Sequence, residues 1–325
     1  MTIAIKDNLH SVQTNVNTIR AAQITEEYQA VLDWLSPTDF TAQQHDIIKR
    51  RAAGTAGWFT ESSKFKSWEQ GHHKTLFCCG MPGAGKTMMA AIAIDHICTS
   101  TSNDKIGLAY GFCNYKNQAD QSALGLLSTI LRHLVDSRPD LGSPLLDMHS
   151  QHMKRKTRPS LVEVTTALKT VCMGYDSSYI VVDALDEFMG SRSGGDSGRA
   201  RFIHELRTLQ TVADIRLLFT SRPIPEVTQL FNSDITLEVR AMDEDIQQFV
   251  ASHVSANYDL VLKAEIVDKI TVAADGMCVF MIPDLLMMTL TALSGSFSPF
   301  YTPNCSMAGK GRRTCYRYLT SFREG

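Results

Sequence analysis

The sequence predicts an α/β protein built on a doubly wound parallel sheet, and three observations carry that expectation. Apolar runs of strand length recur without polar interruption, helical stretches with one apolar side separate them, and a glycine-rich turn follows the first run. Unbroken apolar strands are buried on both faces, as in a parallel sheet covered by helices. The 325 residues, 44% of them hydrophobic, suffice for one large core or two ordinary ones. About five strands are expected over residues 74–240, followed by a small helical domain over 241–293.

The elements follow in order. Residues 1–36 read as a polar helical lead-in closing with "YQAVLDWLSP" before Pro37, because a proline disfavours helix in the residue ahead of it. Residues 37–73 read as linker helices, with an N-cap at Thr41, a break from Gly54 to Gly57, and a short helix that sets Phe65 and Trp68 on one side. "TLFCC" is the first strand, and the helix after it groups Met89, Ile92, Ala93 and Ile97. "IGLAYGFCNY", Ile106 to Tyr115, is the second strand, and Leu124, Leu127, Leu131 and Leu134 stripe the next helix. Ser160 and Glu163 form a capping box opening a helix whose inner side is Leu161, Val164, Leu168 and Val171. "YIVVD" is the third strand, followed by a Gly/Ser-rich loop and a helix marked by Phe202, Leu206, Leu209 and Ala213. "IRLLFTSRP" is the fourth strand and "DITLEV" the fifth. "DEDIQQFVASHV", "KAEIVDKITVAADG" and Met277 to Leu293 read as helical, and 294–325 as an irregular tail.

Gross properties narrow the function. A net charge of −2 gives no field that would make nucleic acid an obligate partner. The eight cysteines include no C-x-x-C pair and several fall in apolar runs, so they read as reduced core residues, not a zinc site or disulfide framework. "MTIAI" is too short for a secretory signal, and Met277 to Leu293 is short for a span and broken by Pro283 and Asp284. A cytoplasmic chain without a transmembrane segment is therefore expected. His72, His73 and the basic run from Met153 to Pro159 read as solvated, Lys310 to Arg313 stays ambiguous, and Trp34, Trp58 and Trp68 read as packing anchors.

The chemistry lies at the strand ends. "GMPGAGKT" (Gly80, Met81, Pro82, Gly83, Ala84, Gly85, Lys86, Thr87) matches G-x-x-x-x-G-K-[ST] between a strand and a helix. Its glycines let backbone N–H groups converge on a polyphosphate at a helix N-terminus, with Lys86 reaching the β- and γ-phosphates and the Thr87 hydroxyl ligating Mg²⁺. Asp183 ends the third strand, where ligands bind in open α/β sheets, and is assigned as the outer-sphere partner of the Mg²⁺ that Thr87 ligates. Asp186 and Glu187 follow, and one of them, preferably Glu187, orients or deprotonates water. Arg222, after the fourth strand, either holds the γ-phosphate or pairs with a carboxylate such as Asp186.

These blocks resemble the NACHT-domain NTPases of fungi, the STAND class related to NOD-like receptors, in the group with nephrocystin-3-like N-terminal regions and ankyrin-repeat proteins. The resemblance runs from "VLDWLSPTDFTAQQHDIIKRRAAGTAGWFTESSKFKSWEQG" through "KTLFCCGMPGAGKT", "YIVVDALDEF" and "LLFTSRPIPEV" to "AADGMCVFM", about residues 30 to 282. It implies a five-stranded P-loop NTPase core with a small helical domain. Gly80 to Thr87 would be the Walker A loop, Asp183, Asp186 and Glu187 the extended Walker B acids, and Arg222 the sensor.

It also implies a switch, closed with ADP and oligomeric with ATP, whose weak hydrolysis resets it in signalling such as fungal self/non-self recognition or programmed cell death. ATP/ADP with Mg²⁺ are the expected cofactors, and GTP stays open because a phosphate cradle does not read the base. The expected partners are the nucleotide, further copies of the chain, and full-length NACHT proteins. Pro283 interrupts a helix that the family continues, while a winged helix, signal-detecting repeats and a complete effector domain are not recognisable. A truncated or naturally short form is therefore expected. These departures motivate a second reading, a non-hydrolytic nucleotide-bound interaction module or decoy for full-length relatives. A small-molecule kinase is weaker, because the acids together with Arg222 favour water as acceptor.

Overall fold

Strand β1 (Thr75–Cys79) lies between β4 (Ile215–Ser221) and β5 (Ile235–Glu238), and the parallel sheet runs β2-β3-β4-β1-β5 with β2 (Ile106–Phe112) and β3 (Ser177–Asp183) on its far side. The computed structural model describes residues 26–101, 105–115, 122–188 and 197–253, with 264, 267–269 and 271. The expectations for Met277 to Leu293, for Pro283 and for the tail fall outside the described residues.

Alternation along the strands builds two cores. Phe77, Ile180, Val182, Leu217 and Phe219 point to one face, and Leu76, Cys78, Tyr179, Val181 and Leu218 to the other. The first face is covered by α1 (residues 26–35), α6 (Ala123–Ser137), α7 (Ser143–Arg155), α8 (Leu161–Cys172) and α9 (Ser197–Gln210). The second is covered by α3 (Gly57–Glu61), α4 (Ser63–Glu69) and α5 (Lys86–Ser100), with α2 (Thr41–Lys49) packed outside α5. This is the expected doubly wound α/β architecture of a P-loop NTPase. Helix α10 (Pro225–Thr228) precedes β5, and α11 (Asp243–His253) follows it.

Several elements form as the side-chain pattern requires. The Ser160 hydroxyl accepts the Glu163 N–H while the Glu163 carboxylate accepts the Ser160 N–H, closing the capping box of α8. Phe65 and Trp68 are fully buried on α4, in a run of tilted and edge-to-face rings with Phe59 and Tyr179. Cys78, Cys113 and Cys172 are buried free thiols.

Other elements differ from expectation for identifiable reasons. Helix α5 buries Met88, Ala90, Ala91 and Ile94 as well as the anticipated face, because α2 and α3 roof the side that would otherwise meet water. Strand β2 ends at Phe112, not Tyr115, where its partner β3 ends at Asp183. Strand β3 starts two residues early, at the buried Ser177 and Ser178. Thr41 is the first helical residue of α2, and the Asp39 carboxylate accepts its N–H at 2.8 Å. Ala213 lies past the end of α9, in the turn to β4. The basic run is half helical: Met153 to Arg155 close α7, and Arg158 lies 5.9 Å from the Trp34 ring and donates to the Trp34 carbonyl. Helix α7 has few buried side chains, chiefly Leu145, Met148 and His152, which explains its weak sequence signal.

His133 on α6 predicts a pH dependence of stability. Its Nδ1 accepts the N–H of Tyr110 on the edge strand, so the proton sits on Nε2. Burial pushes its pKa down to about 4; Asp39 opposes this and Arg132 adds to it. The unfolded chain thus binds an extra proton between pH ~6.5 and ~4, and stability falls as pH falls through that window by about 3 kcal/mol. Denaturant melts of His133→Asn, whose amide oxygen can still accept the Tyr110 N–H, should show that slope removed. An unchanged slope would contradict the account.

Candidate functional site

The site begins where β1 ends. A Cβ on Gly80 would sit 2.3 Å from the Val239 carbonyl oxygen, so only glycine lets the chain leave the sheet beside β5. Gly83 and Gly85 adopt φ of +81° and +91°, in the left-handed region open to glycine. The loop then enters α5, whose 15 residues begin at Lys86 and direct their first free N–H groups to the concavity. Ala84 is buried beneath the loop and Met81 is exposed, so their side chains do not face the cleft.

Lys86 bridges the loop, its Nζ donating to the carbonyl oxygens of Gly80 and Met81 at 2.8 Å each. Burial pushes its pKa down, while Asp186 and Asp183 pull it back up; the net shift is downward. The Thr87 hydroxyl donates to Asp183 Oδ2 at 2.7 Å. Thr220 donates to the other carboxylate oxygen at 2.5 Å and accepts the N–H of Ala184 at 2.9 Å, so one buried hydroxyl ties Asp183 to the turn behind it. Asp183 is 3% exposed, and burial raises its pKa against the hydroxyls of Thr220 and Thr87.

The turn that follows carries the other two acids. Ala184 has φ +54°, a strained conformation for a side-chain-bearing residue that costs about 1 kcal/mol or more. The kink feeds a short 3-10 turn, Leu185–Glu187, anchored by the fully buried Leu185 and Phe188. Asp186 accepts the Arg222 N–H at 3.0 Å on one oxygen and Arg222 Nε at 2.5 Å on the other. Burial would raise Asp186, but the hydrogen bonds and charge of Arg222 outweigh it and hold the carboxyl below its usual range. Glu187 is half-buried and accepts the Tyr115 N–H at 3.3 Å. The carbonyls of Leu185, Asp186 and Phe188 all accept from the guanidinium of Arg199 on α9.

These groups meet because β1, β4 and β3 are adjacent and parallel, so their C-terminal ends share one edge. A cleft of about 410 Å³ there is lined by Pro82, Gly83, Gly85, Lys86, Thr87, Asp183, Asp186, Glu187 and Arg222. The structure therefore brings all the sequence-predicted acids, Lys86, Thr87 and Arg222 together. It also realises the Arg222–Asp186 pair that the sequence left as an alternative. Sequence reasoning missed Ile47 and Arg50 of the α2 end, which complete the cleft wall, and Arg199 behind the acid turn. Arg50 lies outside the phosphate motif, in a segment whose only legible signal was that of a linker.

The donor set fits Mg²⁺. The ion takes hard oxygen ligands and is bound through one or two protein oxygens, with substrate phosphates and water supplying the rest. Thr87 Oγ1 and the Asp183 carboxylate, from separate elements and in contact at the cleft floor, provide that chemistry. Among the described residues no group of three or more His, Cys, Asp or Glu side chains is placed to hold a metal by itself. No described helix is long and apolar enough to cross a membrane.

A family model described as Nephrocystin 3, N-terminal matches residues 54–222, just over half of the chain. No curated protein matches. Among solved structures, the chain is similar to the Walker-type ATPase PABY2304 of Pyrococcus abyssi, with 11% identity, TM-score 0.47, and 82% of this chain and 73% of that one covered. The Aeropyrum pernix ORC2 protein, in ADPNP-ADP complexes, gives 13% identity and TM-score 0.46 over 84% and 69%. AMPPCP-bound DnaA from Aquifex aeolicus gives 15% identity and TM-score 0.42 over 77% and 65%. The chain spans just under two thirds of that DnaA, and 64% of a DNA replication initiation factor. These likenesses are distant, and no assignment below rests on them.

Proposed function

This chain belongs to the family described as Nephrocystin 3, N-terminal, and from that premise we propose that its cleft binds a nucleoside triphosphate with Mg²⁺ and hydrolyses it slowly. The observation that carries the reading is the contact of Thr87 with Asp183 beneath a glycine loop closed by Lys86. A metal-holding pair and a phosphate cradle meet there at one strand edge.

Each group has a separable task. Loop N–H groups and Lys86 hold the β- and γ-phosphates, Lys86 exchanging its two carbonyl contacts for phosphate oxygens. Thr87 and Asp183 would hold Mg²⁺, which when bound neutralises phosphate charge. Glu187 lines the cleft within reach of the Arg222 charge but forms no ion pair among the described residues, and is positioned to orient or deprotonate water. Asp186 is committed to Arg222, whose side chain stays 44% exposed and whose two terminal nitrogens have no hydrogen-bond partner among the described residues. Those nitrogens are the ones offered to the γ-phosphate.

The finer reading is a STAND-type switch of the NACHT kind, using ATP/ADP with GTP as the alternative, that self-associates in its triphosphate form and acts in intracellular signalling. Its support is the α2–α3 connection, which borders the cleft at Arg50 and α11 at its other end. There Asp245 accepts the Ala56 N–H at 3.0 Å, and Gln248 donates to the Ala53 carbonyl at 3.1 Å. That connection links the cleft to α11.

Arg50 tests the cleft boundary. No carboxylate pairs with it among the described residues, so its charge is available to the anion. Arg50→Ala is expected to weaken Mg-ATP binding about three- to tenfold, with the deficit shrinking at high salt as a surface-exposed charge contact should. Calorimetric titrations at two ionic strengths check this. Equal affinity in both proteins would remove α2 from the site.

A further inference from the structure

We infer that Arg199 is a positioning residue for the turn carrying Asp186 and Glu187, acting on the turn's main chain from behind the cleft. The inference rests on the proposed role of Glu187 for its catalytic consequence, and on geometry alone for the clamp itself. Arg199 Nε donates to the Leu185 carbonyl at 3.0 Å, and Nη2 to the carbonyls of Asp186 at 3.2 Å and Phe188 at 2.9 Å. Arg199 is not among the cleft-lining residues. The contacts are to backbone oxygens, so what they fix is the path of the chain.

Three features give the clamp a reason to exist. The turn is entered through the left-handed Ala184, a conformation that persists only where its surroundings hold it. At its start the Thr220 hydroxyl holds the Ala184 N–H, and at its end Arg199 gathers the outward carbonyls. Arg199 also belongs to the first turn of α9, where the helix dipole favours acids over cations. A cation placed against that preference, with its planar donor fork spread over three acceptors, is a local rule broken in favour of the site. An ammonium, a compact point charge, spans fewer of those acceptors in fixed geometry.

The test compares Arg199→Met, Arg199→Lys and, as a stability control outside both the turn and the cleft, Leu168→Ala in the fully buried face of α8. Hydrogen exchange is read without nucleotide at the amides of Glu187 and Phe188, which bond back to the Ala184 and Leu185 carbonyls. Mg-ATP affinity and kcat are measured beside it. Arg199→Met should raise exchange at those amides and lower kcat, each by about tenfold or more, with affinity kept within about threefold. Arg199→Lys should fall between it and the parent. Leu168→Ala should lower Tm while leaving turn exchange and kcat near the parent's. Unchanged turn exchange in both Arg199 variants overturns the clamp, and so does a loss of kcat in Leu168→Ala equal to that in Arg199→Lys. If Arg199→Met fails to fold, the Lys variant decides. If the parent shows no turnover, the proposed hydrolysis falls while exchange still decides the clamp.

Discussion

Lys86→Ala is expected to lower affinity for Mg-ATP by about 100-fold or more, with little change in Tm. The ammonium would make charge-assisted bonds to two phosphates, each about 1.5–3 kcal/mol, so their joint loss reaches that factor. The fold should tolerate the change because the Gly80 and Met81 carbonyls that Lys86 holds lie at the cleft, where water can replace it. Calorimetric titration beside a thermal melt separates the two effects. A variant that binds like the parent would mean the loop is not the phosphate site.

Glu187→Gln is expected to bind Mg-ATP like the parent and to lose turnover by about 100-fold or more, the scale of a positioned general base. The substitution keeps shape and keeps an oxygen for the Tyr115 N–H, so only the basicity is removed. Changing Asp186 instead would break its pair with Arg222 and confound base chemistry with the sensor role proposed for Arg222. A variant trapped with triphosphate also exposes the switch, because it should self-associate in ATP while the parent returns to the smaller form as it hydrolyses. Single-turnover kinetics and light scattering read the two effects. Equal turnover in both proteins would reassign the base, and no change in size would leave a hydrolase without the switch.

The sheet and the glycine loop were legible because their information is local. Strand β1 is an unbroken apolar run, and the glycines at 80, 83 and 85 state a backbone geometry directly. Asp183 was legible through its place at the end of an apolar strand. The supporting residues were not, because their meaning is tertiary. Thr220 looks like any hydroxyl at a strand end until β4 is set beside β3, where it meets both Asp183 and Ala184. Arg199 reads as an ordinary surface cation on a polar helix until the acid turn folds onto it. Arg50 lies 36 residues before Lys86 in the chain, and only the packing of α2 on α5 brings it to the same cleft. Arg222 was legible as a strand-end cation with Asp186 as one of its two candidate partners; that this pair forms depends on the kink at Ala184 that presents Asp186.

The central claim is that the cleft at the ends of β1, β3 and β4 holds nucleotide phosphates through Lys86. The most direct test is titration of the nucleotide-stripped chain with Mg-ATP and Mg-GTP, parent beside Lys86→Ala. The account predicts one site per chain for at least one of the two nucleotides, abolished or weakened about 100-fold in the variant. Absence of binding by the folded parent at millimolar concentrations of either nucleotide, or equal binding by parent and variant, would contradict it.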